Sequence, residues 1–165
     1  MGAPRERTDL AGVLVHLGIL SFEPGVRPED LSDALVLRGA LDRCFGAASR
    51  RDALPARDVD TINSYASDEP PALILRPDGS VARSATDPIR AGLSAIARDA
   101  IETIARQGSD LRVCRGDGCG RIFLDRSRGK DRRWCSMARC GNRMKVTAFR
   151  RRRRRTPPAA LRSDS

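Results

Sequence analysis

The sequence predicts an α+β fold in two parts: a small, mainly α-helical N-terminal domain with one β-hairpin, and a cysteine-containing module after it. Three observations lead to this prediction. Apolar residues recur at helical spacing before residue 109, four of the five cysteines follow residue 110, and the net charge changes sign there. We place the domains at 1–109 and 110–150, and we expect 151–165 to be an Arg-rich disordered tail.

The charge asymmetry indicates what kind of partner the second part binds. The chain carries 31 Lys and Arg against 21 Asp and Glu, a net charge of +10. Residues 1–110 contain 13 Arg and 17 acidic residues, a net of −4, whereas residues 111–155 contain 17 basic residues and three Asp, a net of +14. Such an arrangement favours a polyanion-binding module attached to a regulatory domain.

Helical periodicity predicts the first elements of the N-terminal domain. One helix begins at Pro28, where acidic residues in the first turn suit the helix dipole, and a shorter helix covers 56–66. The apolar positions of the first helix are Leu31, Ala34, Leu35, Leu41, Cys44, Phe45 and Ala48. Those of the second are Val59, Ile62 and Tyr65. We interpret Cys44 as a small core residue.

A hairpin and a long helix complete this domain. Segments 72–76 and 80–83 flank Pro77-Asp78-Gly79, a sequence typical of a tight turn. Asp87 and Pro88 then suit the N-cap and first position of a helix that Gly108 ends. Its apolar stripe consists of Ile89, Leu93, Ile96, Ala97, Ala100, Ile101 and Ile104.

Catalysis and membrane insertion are not indicated. No nucleophile, base and acid form a recognisable constellation, so we expect no enzyme and no catalytic residue. The longest apolar stretch, Val13 to Phe22, is ten residues long and too short to span a bilayer. Glu6 and Asp9 are incompatible with the basic start of a signal peptide. We expect a cytoplasmic protein with no membrane span.

Four cysteines carry the clearest chemistry. Two pairs with four-residue gaps, separated by fifteen residues, have the pattern of a tetrathiolate zinc site. Disulfides are rare in the cytosol, and the spacing does not match common iron–sulfur motifs, although both remain alternatives. We predict one structural Zn²⁺, because four thiolates leave no open coordination position. The predicted ligands are Cys114, Cys119, Cys135 and Cys140.

The predicted secondary structure around these cysteines is typical of a treble-clef-like zinc module. A strand over 121–124 follows the first pair, a charged loop covers 125–133, and a helix runs from Ser136 to about Arg150. A unit of this size has little core of its own, so metal binding should supply much of its folding free energy.

The same segment resembles a known family, the CGNR zinc finger. The resemblance covers about 112–155 and rests on Phe-Leu-Asp-Arg-Ser-Arg at 123–128, Arg-Arg-Trp-Cys-Ser-Met at 132–137 and Cys-Gly-Asn-Arg at 140–143. The N-terminal domain resembles the ABATE domain in Ala-Arg-Asp-Ala at 97–100 and the preceding hairpin, but it lacks an Asp-Phe-x-Asn-Thr-like opening before Leu31. The resemblance implies a bacterial transcription regulator linked to stress responses, in a family also described as RNA-binding and zinc-ribbon-like.

The basic residues predict contacts to nucleic acid, because the planar Arg fork pairs with phosphate and with guanine edges. Our candidates are Arg126, Arg128, Lys130, Arg132, Arg133, Arg139, Arg143, Arg150, Arg151, Arg152, Arg153, Arg154 and Arg155. For Asn142 we favour a backbone hydrogen bond over adenine contact, and for Trp134 packing over base stacking.

We therefore predict that the protein is a transcription regulator that binds DNA in a zinc-dependent manner and associates with the nucleoid. Few aromatic residues are present to stack on single strands, which favours duplex DNA over RNA. The alternatives are an RNA-binding protein and a protein-interaction module with structural zinc. A homodimer and an unidentified ligand of the N-terminal domain are further expectations.

Overall fold

The structure is a computed structural model, and it describes the backbone of residues 8–155 and the side chains of residues 10–150. The chain divides into two compact units, 1–109 and 110–165. The first unit is mainly helical with one hairpin, and the second combines a hairpin, a helix and a cysteine cluster, which confirms the predicted α+β class.

The first unit contains four helices and two strands in chain order. They are α1 (Thr8–His16), α2 (Pro28–Arg50), α3 (Ala56–Ala66), β1 (Ala72–Leu75), β2 (Val81–Ser84) and α4 (Pro88–Gln107). The sequence predicted all of these except α1. A short 3₁₀ turn, Gly108–Asp110, follows α4 and leads into the second unit.

Acidic side chains fix the starts of α2 and α4. Asp87 accepts a hydrogen bond from the Arg90 backbone N–H at 3.1 Å, which is the predicted N-cap. Asp30 accepts one from the Arg27 backbone N–H at 2.8 Å. The Arg27 guanidinium also contacts the carboxylates of Asp30 at 2.7 Å and Asp87 at 3.2 Å, so that one side chain joins the two helix starts.

The core lies among α1, α2, α3 and α4, and its buried residues are Leu14, Leu20, Leu37, Ala40, Cys44, Ile62, Ile89, Leu93 and Ala97. Cys44 is fully buried, as predicted, and burial raises the pKa of its thiol. The predicted face of α2 is partly wrong, because Leu35 is 57% exposed whereas Leu37 is buried. Since α2 packs against both α3 and α4, its buried seam follows the line between those two helices.

The unpredicted helix α1 packs tightly on α4. A Cβ atom at Gly92 would lie only 2.9 Å from Cδ1 of Leu14, which is fully buried. Gly92 therefore allows the two helices to approach, and Leu14 fills the space that a side chain would occupy.

The predicted hairpin is present, with β1 and β2 antiparallel and Leu75 opposite Val81. Gly79 adopts a φ of +81° and donates its backbone N–H to the Arg76 carbonyl at 2.9 Å, as the turn sequence required. Among the helices within residues 8–155, none has both the length and the apolar character to cross a bilayer.

The second unit begins with an antiparallel hairpin of β3 (Leu111–Val113) and β4 (Ile122–Leu124). A single π turn over Met137–Gly141 then leads directly into α5 (Asn142–Arg155). The strand and the helix were predicted, but the first turn of that helix is wider than expected. The Ser136 carbonyl accepts hydrogen bonds from the backbone N–H groups of both Cys140 and Gly141 at 3.0 Å.

Helix α5 extends past residue 151, where the predicted tail begins. Helix α5 continues to Arg155, so residues 151–155 have helical backbone. Arginine is a good helix former, and no Gly or Pro interrupts the sequence between Asn142 and Arg155. The rest of the predicted tail lies outside the described residues.

Candidate metal centre

The β3–β4 hairpin positions the first cysteine pair. Cys114 follows β3 and donates its backbone N–H to the Arg121 carbonyl at 2.8 Å. The chain then turns back, with the Cys119 N–H donating to the Gly116 carbonyl at 2.9 Å. Gly118 and Gly120 adopt φ values of +66° and +57°, which glycine tolerates best. The glycine-rich loop thus brings both sulfurs to the end of the hairpin.

The second pair is held against the first by backbone contacts. The Arg115 N–H donates to the Arg133 carbonyl at 2.9 Å, and the Cys135 N–H donates to Sγ of Cys114 at 3.3 Å. Cys140 projects from the π turn and is 4% exposed. The wider turn therefore sets the direction of the fourth thiol.

The four sulfurs have the geometry of a tetrahedral metal site. All lie within 4.8 Å of one another, and Sγ of Cys135 is 3.8 Å from those of both Cys119 and Cys140. Four zinc–sulfur bonds of about 2.3 Å place tetrahedral sulfurs about 3.8 Å apart. A disulfide needs about 2.05 Å, and all four thiols are free. The donor set and its spacing fit zinc.

Backbone donors favour a thiolate at Cys114. Burial raises the pKa of this thiol, but the N–H groups of Cys135 and Gly116 offset that effect and lower the pKa to about 7. A thiolate is the form that ligates zinc, so Cys114 is the ligand prepared for a cation. Burial raises the pKa of Cys135 and the Cys119 sulfur raises that of Cys140, so zinc must displace protons from these two thiols.

The comparisons agree with this geometry. Residues 111–153 match the CGNR zinc finger. Residues 5–107, more than half of the chain, match ABATE, described as "Putative stress-induced transcription regulator". The chain belongs to the ABATE family. In this ABATE protein, the CGNR match and the Cys₄ geometry identify a site for one structural zinc ion, held by Cys114, Cys119, Cys135 and Cys140. A comparison with curated proteins finds no match.

A buried carboxylate organises the loop between the two cysteine pairs of this ABATE protein. Asp125 is fully buried and accepts hydrogen bonds from the Ser127 hydroxyl at 2.7 Å, the Ser127 N–H at 3.0 Å and the Arg132 N–H at 2.9 Å. The Ser127 hydroxyl bond is the main cause that lowers the pKa of Asp125. This role was not predicted from the sequence, although Asp-x-Ser is a typical Asx-turn signal.

The predicted nucleic-acid residues divide into two groups. Several are tied within the unit: Lys130 Nζ contacts the Asp110 carboxylate at 2.7 Å, Arg132 donates to the Cys135 carbonyl at 2.9 Å, and Arg143 donates to the Asp117 carbonyl at 2.9 Å. Arg133 lies over the ring of Trp134, at 5.6 Å from its centroid. These contacts position the side chains close to the zinc site.

Both groups are exposed to solvent, but the side chains of the other group make no such contact among the described residues. Arg126, Arg128, Arg139 and Arg150 belong to it, whereas the side chains of Arg151, Arg152, Arg153, Arg154 and Arg155 lie outside the described residues. Arg115 and Arg121 are also exposed and were not predicted, although both flank the first cysteine pair. Their position beside the zinc ligands was the available signal.

Proposed function

We propose that this ABATE protein is a zinc-dependent, non-enzymatic transcription regulator that binds DNA through its C-terminal unit. The observation that carries the proposal is the density of basic residues in this unit, several of which are exposed beside the cysteine cluster. Within residues 111–155, 17 basic residues accompany three Asp, and one of these, Asp125, is fully buried. Such charge density provides salt-dependent affinity for phosphate backbones. DNA binding would place the protein in the cytoplasm, on the nucleoid.

The aromatic residues favour duplex DNA over single-stranded RNA. Sequence-specific RNA recognition usually stacks splayed bases on aromatic faces. Here Phe123 is covered by the Arg132 guanidinium, 5.1 Å from the ring centroid, and Trp134 is half-buried beside Gly141. Phe149, on α5, is 60% exposed, so one of the three aromatic side chains described in this unit offers most of its surface to an unpaired base, which is too few for a stacking platform.

The first unit supplies the regulatory part of the proposal. A cleft between its hairpin and the start of α4 is lined by Asp68, Ile74, Thr86 and Arg90, and it provides a place for a small ligand. We also assign homodimerisation to this unit. Light scattering on the zinc-loaded chain would test it.

Binding should be tested with zinc-loaded full-length protein and matched probes. A duplex DNA and an RNA hairpin of the same sequence are titrated at several salt concentrations. We expect tighter binding to DNA and a log–log salt slope of about −0.9 for each phosphate neutralised. Tighter RNA binding would favour the RNA-binding alternative, and no binding to either would favour a protein-interaction module.

The role of the metal needs a separate control. Cys135→Ser removes one zinc ligand and should abolish preferential DNA binding, whereas Cys44→Ser leaves the zinc ligands intact. Zinc content per chain confirms which variant has lost the metal. DNA binding that is unchanged in Cys135→Ser would contradict the zinc-dependent proposal.

A further inference from the structure

One ridge of α5 presents an amide, an aliphatic and a guanidinium side chain to solvent. Asn142, Val146 and Arg150 are spaced four residues apart, so they lie above one another along the helix. All three are exposed, and Val146 is 48% exposed although it is apolar. Half-buried Met144 lies on the opposite side of the helix. The ridge therefore points away from the zinc centre.

Two roles were predicted for Asn142, a hydrogen bond to the backbone and a contact with adenine. The favoured one, a supporting hydrogen bond to the backbone, is not found among residues 8–155. The neighbouring Arg143 has that role instead, since its guanidinium donates to the Asp117 carbonyl in the first cysteine loop at 2.9 Å. Arg143 thus fixes the start of α5 against the zinc site and leaves the Asn142 amide exposed.

We propose that α5 lies in the major groove of duplex DNA and that this ridge reads base edges, a proposal that rests on the proposed function. Asn142 would bind adenine in a bidentate manner, Val146 would contact a thymine methyl, and Arg150 would bind guanine. These bases are the usual partners of amide, apolar and guanidinium side chains, respectively. Eight residues of helix rise about 12 Å, which matches three to four base-pair steps of about 3.4 Å.

Charge and groove shape both select duplex DNA as the partner. Helix α5 has eight Arg and Lys among 14 residues and no acidic residue, and this charge complements the phosphates that border the groove. The DNA major groove, about 12 Å wide, admits a helix. The major groove of an RNA helix is deep and narrow, and side chains cannot read it.

The test begins by selecting sequences from a random duplex library with the zinc-loaded full chain. Affinity for the selected duplex is then compared with affinity for duplexes that are changed at one base pair or that carry deoxyuridine in place of thymidine. Asn142→Ala and Arg150→Ala each remove a bidentate pair and should reduce affinity for the selected duplex by about 10- to 100-fold. Val146→Ser, which removes the apolar contact, should reduce it less. Each variant should also lose discrimination at one position, and Val146→Ser should bind the thymidine and deoxyuridine duplexes equally.

A matched control lies on the same helix. Lys145 is exposed but lies off the ridge, so Lys145→Ala should weaken binding to all sequences equally and reduce the salt slope by about 1. Zinc content and far-UV circular dichroism are measured for every variant to detect loss of folding. Asn142→Asp keeps the side-chain shape, so it separates loss of the amide donor from a local folding defect at this position. It should weaken adenine recognition while the zinc content stays the same.

The outcomes separate the two proposals. Duplex binding without any enriched sequence, or with discrimination that survives all three substitutions on the ridge, would overturn the ridge proposal while leaving DNA binding in place. The ridge proposal would also be overturned if these substitutions reduced affinity for an RNA hairpin more than affinity for duplex DNA. Absence of binding to both nucleic acids would overturn the proposed function itself.

Discussion

Gly116 provides the sharpest test of the metal centre, because it leaves no space for a side chain. A Cβ atom at this position would lie 3.0 Å from Cβ and 3.1 Å from Sγ of Cys140, and 3.5 Å from Sγ of Cys114. The backbone of Gly116 has no left-handed φ, so the effect of Gly116→Ala is one of space and not of backbone strain. The substitution therefore displaces one or both thiols.

The expected loss of zinc affinity follows from these distances. Ordinary carbon contacts lie near 3.5–4.0 Å, so Cys140 must move by roughly 0.5 Å to accept the methyl group. Metal–ligand distances tolerate only about ±0.2 Å. Changes next to a metal ligand typically weaken metal binding by about 10- to 100-fold, which corresponds to about 1.4–2.7 kcal/mol. We expect Gly116→Ala to fall in that range.

The measurement is competition for zinc with a chromophoric chelator at fixed pH. Gly129→Ala is a matched control, since it makes the same change in the same unit and its nearest contact, Asp131 Oδ1, is 3.4 Å away. Zinc affinity should be unchanged in the control. Equal zinc affinity of Gly116→Ala and the unmodified protein would show that the cysteine cluster relaxes freely, and it would refute the reasoning about its packing.

Three further predictions concern packing and ion pairing. Gly92→Ala should destabilise the protein by about 1 kcal/mol, because overpacking costs about 1–3 kcal/mol and the higher helix propensity of alanine offsets about 1 kcal/mol of that cost. Gly46→Ala is the control, since its nearest contact is a flexible arginine, and it should leave the free energy of unfolding in urea unchanged or increased. Asp125→Asn should lower the thermal midpoint reported by Trp134 fluorescence, because an amide cannot accept all three hydrogen bonds; an unchanged midpoint would contradict this. The Arg43 guanidinium lowers the pKa of Asp58 below its ordinary value of 3.8, so this pair stabilises the fold above pH 3.8 and progressively less below it. Arg43→Gln should therefore lose stability at pH 6, and the difference from the unmodified protein should shrink as the pH falls to 2.

Features that depend on local sequence were predictable. The start of α4 follows from Asp87 and Pro88, since an N-cap needs only its own helix. The zinc ligands follow from cysteine spacing, because each pair belongs to one short loop. The hairpin of the first unit likewise depends on Gly79 within its own turn. In each case, the residues that determine the feature are neighbours in the chain.

Features that depend on distant partners were not predictable in the same way. Periodicity alone placed Leu35 of α2 on the buried face, but α3 and α4 together determine which face is covered. The partner of Arg143 is the Asp117 carbonyl, 26 residues away, and no sequence pattern indicates that contact. The roles of individual arginines were therefore the least predictable part of the site.

The charge of the second unit separates the role of zinc from that of the arginines. Residues 111–155 have a net charge of +14 with neutral thiols, and one Zn²⁺ with four thiolates contributes −2, so the zinc-loaded unit has +12. Metal removal thus increases the positive charge and should not weaken a purely electrostatic attraction to DNA. We expect it to loosen the backbone contacts that join the cysteine loops, and with them the Arg143–Asp117 contact that positions α5. If chelation weakens discrimination between DNA sequences while low-salt affinity persists, then the arrangement of the basic residues provides specificity and their number provides affinity.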